Sequence, residues 1–222
     1  DPASKLRITT GQQYQKPELF YNQSLLDFKH QDQRQLFEKA LASVKSQFPF
    51  SVPIHVNGEN IETNNLFSRE CPAEPEHIIC QFHMADKNIA DSAVSAAKQA
   101  FQSWRKVPAT ERADYLDKLA DLMIEKRYEL AAIEVYEVGK PWSEADGDIT
   151  EAVDFCRYYA QQMRELSLGQ KVGHALGENS NYHYIPRGVS LVIAPWNFPL
   201  AILTGMVAAS IVTGNTVVVK PA

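Results

Sequence analysis

The chain has 222 residues, of which 45% are hydrophobic, and a formal net charge of −5. It is long enough to bury a core and exceeds a typical single domain. The acidic balance without a basic run argues against nucleic acid as a partner, and three cysteines with no Cys-x-x-Cys spacing fit a cytoplasmic protein without a metal site.

Residues 1–54 are predicted to form an amino-terminal arm or linker. They begin at Asp1 and contain neither the basic nor the apolar segment of a secretory signal, so no signal peptide is expected. The stretch from Gln31 to Gln47 is predicted to be an amphipathic helix that ends before Pro49.

Residues 55–169 are predicted to be mostly helical. A strand is expected over Ile78–Phe82. Cys80 falls in that strand and Cys156 on an apolar helix face. Neither setting suits a nucleophile, so both are expected to be buried, unreactive thiols.

A second helix, expected between residues 144 and 163, carries two stripes. The row Glu144, Asp148 and Glu151 taken alone indicates a solvated face. The other stripe is apolar with helical period and is predicted to be core. Its members are Ala145, Ile149, Ala152, Val153, Cys156, Tyr159, Ala160 and Met163.

Residues 170–187 are predicted to form a pair of strands, because positions 181–185 alternate in polarity. Residues 188–222 follow as a strand–helix–strand unit. The first strand, Gly188–Ala194, is an apolar run typical of strands buried on both faces. The second strand is expected over Thr216–Lys220.

The helix between these strands is predicted over Leu200–Val212. Gly205, Ala208 and Ala209 give it one thin face, expected to lie close against the sheet, and Gly214 supplies a helix-ending residue. The fold class is therefore α/β, with the start of a parallel Rossmann-type sheet and flanking helices.

Two positions of this unit point to a ligand. Parallel strands place the turn Pro195–Pro199 and Lys220 at the same carboxyl edge of the sheet. Ligands of open α/β sheets bind at that edge.

A membrane span is the alternative for this stretch, because no side chain from Gly188 to Val219 is charged. Two prolines and Asn197 interrupt it, however, and a helix over residues 200–212 would reach only about 20 Å. No membrane span is expected.

The motifs at 193–199 and 214–222 resemble the aldehyde dehydrogenase superfamily, whose members carry Pro-Trp-Asn-Phe-Pro and Gly-Asn-Thr-Val-Val-x-Lys-Pro at this interval. Residues 69–73, 94–104 and 137–141 also resemble family motifs. Cys71 replaces an Asn of the family's turn, which is expected at the surface. The resemblance covers about residues 55–222. It implies an aldehyde dehydrogenase-like fold with residues 55–169 and 188–222 in the dinucleotide-binding domain and residues 170–187 as an arm that pairs with another subunit in a homo-oligomer.

The resemblance implies a catalytic role for Asn197, whose amide would donate to the oxyanion formed when a cysteine thiolate attacks the aldehyde. It implies that Phe198 lines the aldehyde tunnel. Read without the family, Asn197 would be a turn residue bonded to its own backbone, and Phe198 would be core.

The resemblance also implies a nicotinamide dinucleotide site. Lys220 would bond the adenosine ribose, although a strand-end lysine is usually only solvated. The walls beside the nicotinamide would come from Ile193, Ala194, Pro195 and Trp196. NAD is the expected cofactor, and NADP is not excluded.

Residues 137–163 resemble the L-glutamate γ-semialdehyde (1-pyrroline-5-carboxylate) dehydrogenases of proline catabolism. Glu151 would then lie near the substrate's ammonium group, as a substrate-binding residue. The stretch from Tyr14 to Phe28 resembles the connector of bifunctional proline utilisation A enzymes, which implies a possible fused proline dehydrogenase module.

Two functions stay open. The family's nucleophilic cysteine and general-base glutamate would follow position 222, so the chain alone is expected to be inactive. It is either part of an aldehyde dehydrogenase, for this or another aldehyde, or a non-catalytic dinucleotide-binding or oligomerisation fragment.

Overall fold

The computed structural model describes residues 19–222. The predicted connector at 14–28 and the predicted arm at 1–54 therefore lie partly outside the described residues. The helices are α1 (Gln31–Lys45), α2 (Lys87–Trp104), α3 (Ala109–Glu125), α4 (Arg127–Val138), α5 (Trp142–Leu166) and α6 (Ala201–Val212). The strands are β1 (Phe50–Val52), β2 (Ile54–Val56), β3 (Glu59–Ile61), β4 (Leu66–Glu70), β5 (Ile78–His83), β6 (Gln170–Gly173), β7 (Ser180–Tyr182), β8 (Val189–Ile193) and β9 (Thr216–Lys220).

Within residues 19–222 the strands form four small sheets. Strand β5 pairs with β1 in parallel and with β4 in antiparallel orientation, and β2 with β3 and β6 with β7 are antiparallel pairs. Strands β8 and β9 are parallel. The predicted helix in the arm, the strand pair at 170–187 and the parallel strand–helix–strand unit are thus confirmed.

The main core lies where α3, α5 and α6 meet. The apolar stripe of α5 is buried there and toward α4, except for half-buried Tyr159, as its helical period predicts. Burial raises the pKa of Cys80 and of Cys156 to about 12. Both thiols are therefore unreactive, as expected.

Helix α6 packs differently from the prediction. It begins at Ala201 and ends before Gly214, whose φ of +89° suits glycine. Its thin face lies on helix α5, not on the sheet, since a Cβ at Gly205 would come 3.0 Å from the Phe155 ring. Small residues allow close approach to whatever element is adjacent, and here that element is a helix.

Two burial predictions are wrong. Strand β8 is not buried on both faces within residues 19–222, since Leu191 is 64% and Ile193 58% exposed. Cys71 is not at the surface but only 4% exposed, because it packs with Ile79 and Cys80 in a small core.

No helix within residues 19–222 is both long and apolar enough to cross a membrane.

Candidate functional site

The register of β8 and β9 brings the two predicted ligand positions together. Ile193, the last residue of β8, pairs with Lys220, the last residue of β9. The turn that follows Ile193 and the end of β9 therefore lie side by side at one edge of the sheet.

The turn at this edge presents an unused amide. Asn197 is exposed and forms no hydrogen bond with residues 19–222, so both N–H groups of its side chain are free to donate. Asn215 shows the contrasting case. Its Oδ1 accepts hydrogen bonds from the backbone N–H of Arg187 at 2.7 Å and of Gly188 at 2.9 Å, which ties the start of β8 to the start of β9. The structural role that a turn asparagine usually has belongs to Asn215.

The remaining predicted cofactor residues line the same edge. Ile193 and Trp196 are 58% and 62% exposed, and Pro195 is exposed beside them. Ala194 is 7% exposed, so it can offer little beyond its backbone. The Lys220 ammonium is exposed and makes no ion pair or hydrogen bond within the described part of the chain. Apolar walls beside a free cation fit a dinucleotide with its pyrophosphate and ribose hydroxyls.

A buried charge cluster that the sequence prediction missed lies behind this turn. We call Glu134, Lys140 and Asp148 the buried triad. The Lys140 ammonium lies 3.3 Å from Glu134 Oε2 and 3.4 Å from Asp148 Oδ2, and the three side chains are 11% exposed or less. Glu134 Oε1, Glu134 Oε2 and Lys140 Nζ make no hydrogen bond of ordinary geometry within residues 19–222.

The corner between α4 and α5 positions this triad. Gly139 ends α4 with a left-handed φ of +71°, and Pro141 precedes the first residue of α5. Lys140 therefore projects from the corner between two helices whose side chains supply the carboxylates. Burial, and then the neighbouring Asp148 carboxylate, raises the pKa of Glu134 to about 9.

The triad contacts the turn at two points. Asp148 accepts hydrogen bonds from the backbone N–H of Leu200 at 3.2 Å and of Ala201 at 3.4 Å, which caps the start of α6. Lys140 Nζ lies 4.5 Å from the centre of the Phe198 ring, a cation–π contact. The predicted solvated row is therefore wrong at Asp148, which is 1% exposed. A signal was available, since position 148 is three residues from Ala145 and four from Ala152 and so belongs to the buried stripe.

Glu151 lies in a separate surface cleft of about 500 Å³. The cleft is also lined by Asp154, Phe155 and Tyr158 and by four residues of an earlier segment, Phe20, Asn22, Gln23 and Leu25, but not by Asn197 or Phe198. Glu151 itself is exposed. The structure thus brings the predicted cofactor residues and Asn197 together at the sheet edge, whereas Glu151 lies in a different cleft.

The chain segment over that cleft is firmly attached. Asp154 accepts hydrogen bonds from the Asn22 side chain at 2.7 Å and from the Gln23 backbone at 2.8 Å. The Arg127–Asp146 ion pair, which is also buried, binds the backbone of Ser24 and Leu26. No group of three or more His, Cys, Asp or Glu residues within 19–222 could hold a metal ion.

The chain is similar to a known protein family and to several characterised members of it. The profile of the aldehyde dehydrogenase family matches residues 59–222. A 1-pyrroline-5-carboxylate dehydrogenase of Bacillus pumilus is 43% identical over 203 residues, which are 91% of this chain and 39% of that protein. The chain therefore spans about two fifths of the length of the curated relatives that it matches.

Two solved structures resemble the chain closely. A proline utilization A (PutA) structure from Bdellovibrio bacteriovorus has 50% identity and a TM-score of 0.93 over 94% of this chain and 22% of the PutA chain. A 1-pyrroline-5-carboxylate dehydrogenase from Thermus with bound NAD has 37% identity and a TM-score of 0.89 over 92% of this chain and 40% of its own.

Proposed function

The chain belongs to the aldehyde dehydrogenase family. From this premise we propose that it supplies the oxyanion-binding turn and part of the dinucleotide site of an enzyme that oxidises L-glutamate γ-semialdehyde to glutamate with NAD(P). The relatives named 1-pyrroline-5-carboxylate dehydrogenase support this substrate. The observation that carries the proposal is the free Asn197 amide at the sheet edge that also holds Lys220.

Asn197 acts on the charge that develops during the reaction. When a thiolate adds to the aldehyde carbon, the carbonyl oxygen becomes an oxyanion, and the amide N–H of Asn197 donates to it. A neutral donor placed in advance stabilises the transition state more than the substrate, so its effect falls on the turnover rate. The thiolate and the base that activates water come from outside this chain.

Lys220 and residues 193–196 are proposed to hold the cofactor. The exposed side chains of Ile193 and Trp196 form apolar walls for the nicotinamide end, and the Lys220 ammonium bonds a ribose hydroxyl. A bound nicotinamide dinucleotide would supply the acceptor for the hydride that leaves the substrate carbon. The bound NAD in the Thermus relative favours NAD as the cofactor of this chain.

Two further proposals concern assembly. Residues 170–187 are proposed to pair with a second copy, because Val172, Tyr184 and Ile185 are 60–77% exposed. The 50% identity to the PutA chain, against 37% to the Thermus enzyme, favours a protein with a fused proline dehydrogenase module. A proline-dependent flavin reduction assay on the protein containing this chain tests that module.

Asn197→Ala tests the function in the complete enzyme, meaning this chain together with the residues that follow the corresponding position in its relatives. We expect kcat for L-glutamate γ-semialdehyde to fall about 100-fold or more while NAD affinity stays nearly unchanged, because the amide acts on the transition state. Single-turnover kinetics would isolate the chemical step.

The matched control is Asn215→Ala, which removes a structural amide and should lower stability but not the chemical rate. An unchanged chemical rate in Asn197→Ala would remove the oxyanion role. If the intact protein oxidises no aldehyde, the non-catalytic alternative holds.

A further inference from the structure

The buried triad lies directly behind the turn that carries Asn197, and the reaction as proposed above does not use it. Its members come from two helices and the corner between them, and they contact the chain just after Asn197. Lys140 contacts the ring of the next residue, Phe198, and Asp148 holds the backbone at 200 and 201.

These contacts restrict a short segment that otherwise has few restraints. Trp196 and Asn197 are exposed, and Asn197 makes no hydrogen bond within residues 19–222. The conformation of residues 195–199 therefore depends on its two ends. At one end Ala194 is buried, and at the other Phe198 rests on the triad.

We propose that Lys140 and Asp148 are positioning residues that fix the Pro195–Ala201 segment and so set the direction of the Asn197 amide. Asp148 fixes where α6 begins, because its two oxygens accept the first free N–H groups of that helix. Lys140 fixes the Phe198 ring through its cation and is itself placed by Glu134 and Asp148. This inference rests on the proposed function for its effect on rate, but not for its effect on the turn.

The geometry also explains why charges are used here. The Lys140 ammonium and the Asp148 carboxylate are both almost fully buried, so each needs the opposite charge of the other to offset the cost of leaving water. Loss of either Lys140 or Asp148 leaves the other charge buried and unpaired. Both the contact with the Phe198 ring and the hydrogen bonds to Leu200 and Ala201 should then change.

Four variants of the complete enzyme test the proposal. Asp148→Asn keeps the shape and one acceptor but removes the charge, and Lys140→Met removes the cation while keeping the stem. Lys140→Arg retains the cation and should restore function. Asp146→Asn is the matched control, because Asp146 is equally buried on the same helix but pairs with Arg127 and the Leu26 amide instead of the turn.

Two readouts separate positioning from general stability. The first is the 19F resonance of 5-fluorotryptophan at Trp196, assigned by its loss in Trp196→Phe, which reports the turn without any reaction. The second is the single-turnover rate of aldehyde oxidation. We expect the resonance to shift or broaden in Asp148→Asn and Lys140→Met, and the rate to fall about 10-fold or more, since small misplacements of a catalytic donor are costly.

A double-mutant comparison shows whether the effect passes through Asn197. Asp148→Asn should slow the reaction clearly in the wild-type background and by less than about 2-fold in the Asn197→Ala background, because the donor that it positions is already absent. Phe198→Leu removes the ring under the ammonium and should shift the resonance even if the charge variants fold poorly.

The proposal is overturned if folded Asp148→Asn and Lys140→Met leave both the resonance and the rate at wild-type values. It is also overturned if Asp146→Asn changes both as strongly, because the effect would then be loss of any buried ion pair. If the resonance moves but Asn197→Ala keeps the wild-type rate, the positioning stands and the oxyanion role in the proposed function fails.

Discussion

Two asparagines of this chain lie in motifs, and their surroundings separate their roles. Asn215 bonds two backbone N–H groups, whereas Asn197 bonds none within the described residues. An exposed amide that has no structural partner is available to a ligand. At the level of single residues, the partners that a side chain lacks are as informative as those it has.

Glu151 provides the prediction on substrate choice. If its carboxylate pairs with the substrate ammonium, Glu151→Gln should lower kcat/KM for L-glutamate γ-semialdehyde about 10-fold or more and leave a simple aliphatic aldehyde nearly unaffected, since only the first carries a cation. Steady-state kinetics of the complete enzyme on both aldehydes would measure this.

Asp154→Asn is the control for Glu151, because Asp154 lines the same cleft but is already bonded to Asn22 and Gln23. An equal loss on both aldehydes, or no loss on either, would place Glu151 outside the substrate site.

Glu134 provides a prediction on pH. Its pKa is raised from an ordinary value of 4.5 to about 9, so between these values the folded protein keeps a proton that the unfolded chain releases. The free energy of unfolding should therefore fall as the pH rises through this window. Glu134→Gln has no proton to lose, and its stability should fall less steeply with pH.

Urea denaturation of both proteins between about pH 5.5 and 8.5 would compare the two slopes. Glu129→Gln, at a half-exposed side chain on the same helix, is the control. Parallel slopes for wild type and Glu134→Gln would contradict a protonated Glu134. Lys140 and Asp148 face the Glu134 carboxyl group and affect its pKa, so both residues are kept in the two proteins compared.

At the scale of elements, the contact of α6 with α5 depends on one missing side chain. A Cβ at Gly205 would lie 3.0–3.1 Å from the atoms of the Phe155 ring. Helix α6 can therefore approach α5 closely only with glycine at this position. The close approach in turn brings the start of α6 within reach of Asp148.

Gly205→Val should lower the free energy of unfolding by about 1–3 kcal/mol, the usual cost of overpacking. Met206→Val introduces the same side chain at an exposed neighbouring position and is the control. Chemical denaturation would measure both, and Phe155→Ala combined with Gly205→Val should destabilise by less than the sum of the single changes. Equal stabilities for Gly205→Val and Met206→Val would show that the Phe155 ring moves aside for the added side chain without a loss of stability.

At the scale of the whole molecule, β6 and β7 form a two-stranded sheet that has free edges within the described chain. Val172 in β6 is 60% exposed, and Tyr184 and Ile185, which follow β7, are 67% and 77% exposed. A small sheet of this kind is marginal alone and gains stability from a further strand. A second copy of the protein would supply one.

Ile185→Asp should therefore shift the complete enzyme toward a smaller species, because it places a charge in the proposed contact. Light scattering after size exclusion would give the mass. Leu122→Asp, at a 45% exposed position on α3, is the control. A protein that is already monomeric before substitution, or one whose mass is unchanged by Ile185→Asp, argues against pairing through residues 170–187.

The sequence by itself determined the local elements and the edge they share. Glycine and proline ended the helices where predicted, and the apolar runs at 188–194 and 216–220 became parallel strands that end together at Ile193 and Lys220. These signals act over a few residues along the chain, so local rules are sufficient to read them.

Only the tertiary structure decided which side chains are buried against which partner. The apolar stripe of α5 marks position 148 as inward-facing, but it does not specify which groups balance the Asp148 carboxylate. Those groups are Lys140, from the corner before α5, and the backbone at 200–201, which is distant along the chain. The thin face of α6 could suit a sheet or a helix equally well, and the position of Phe155 selected the helix. Burial of charge and close packing depend on groups that meet only after the chain has folded, and no local pattern specifies that meeting.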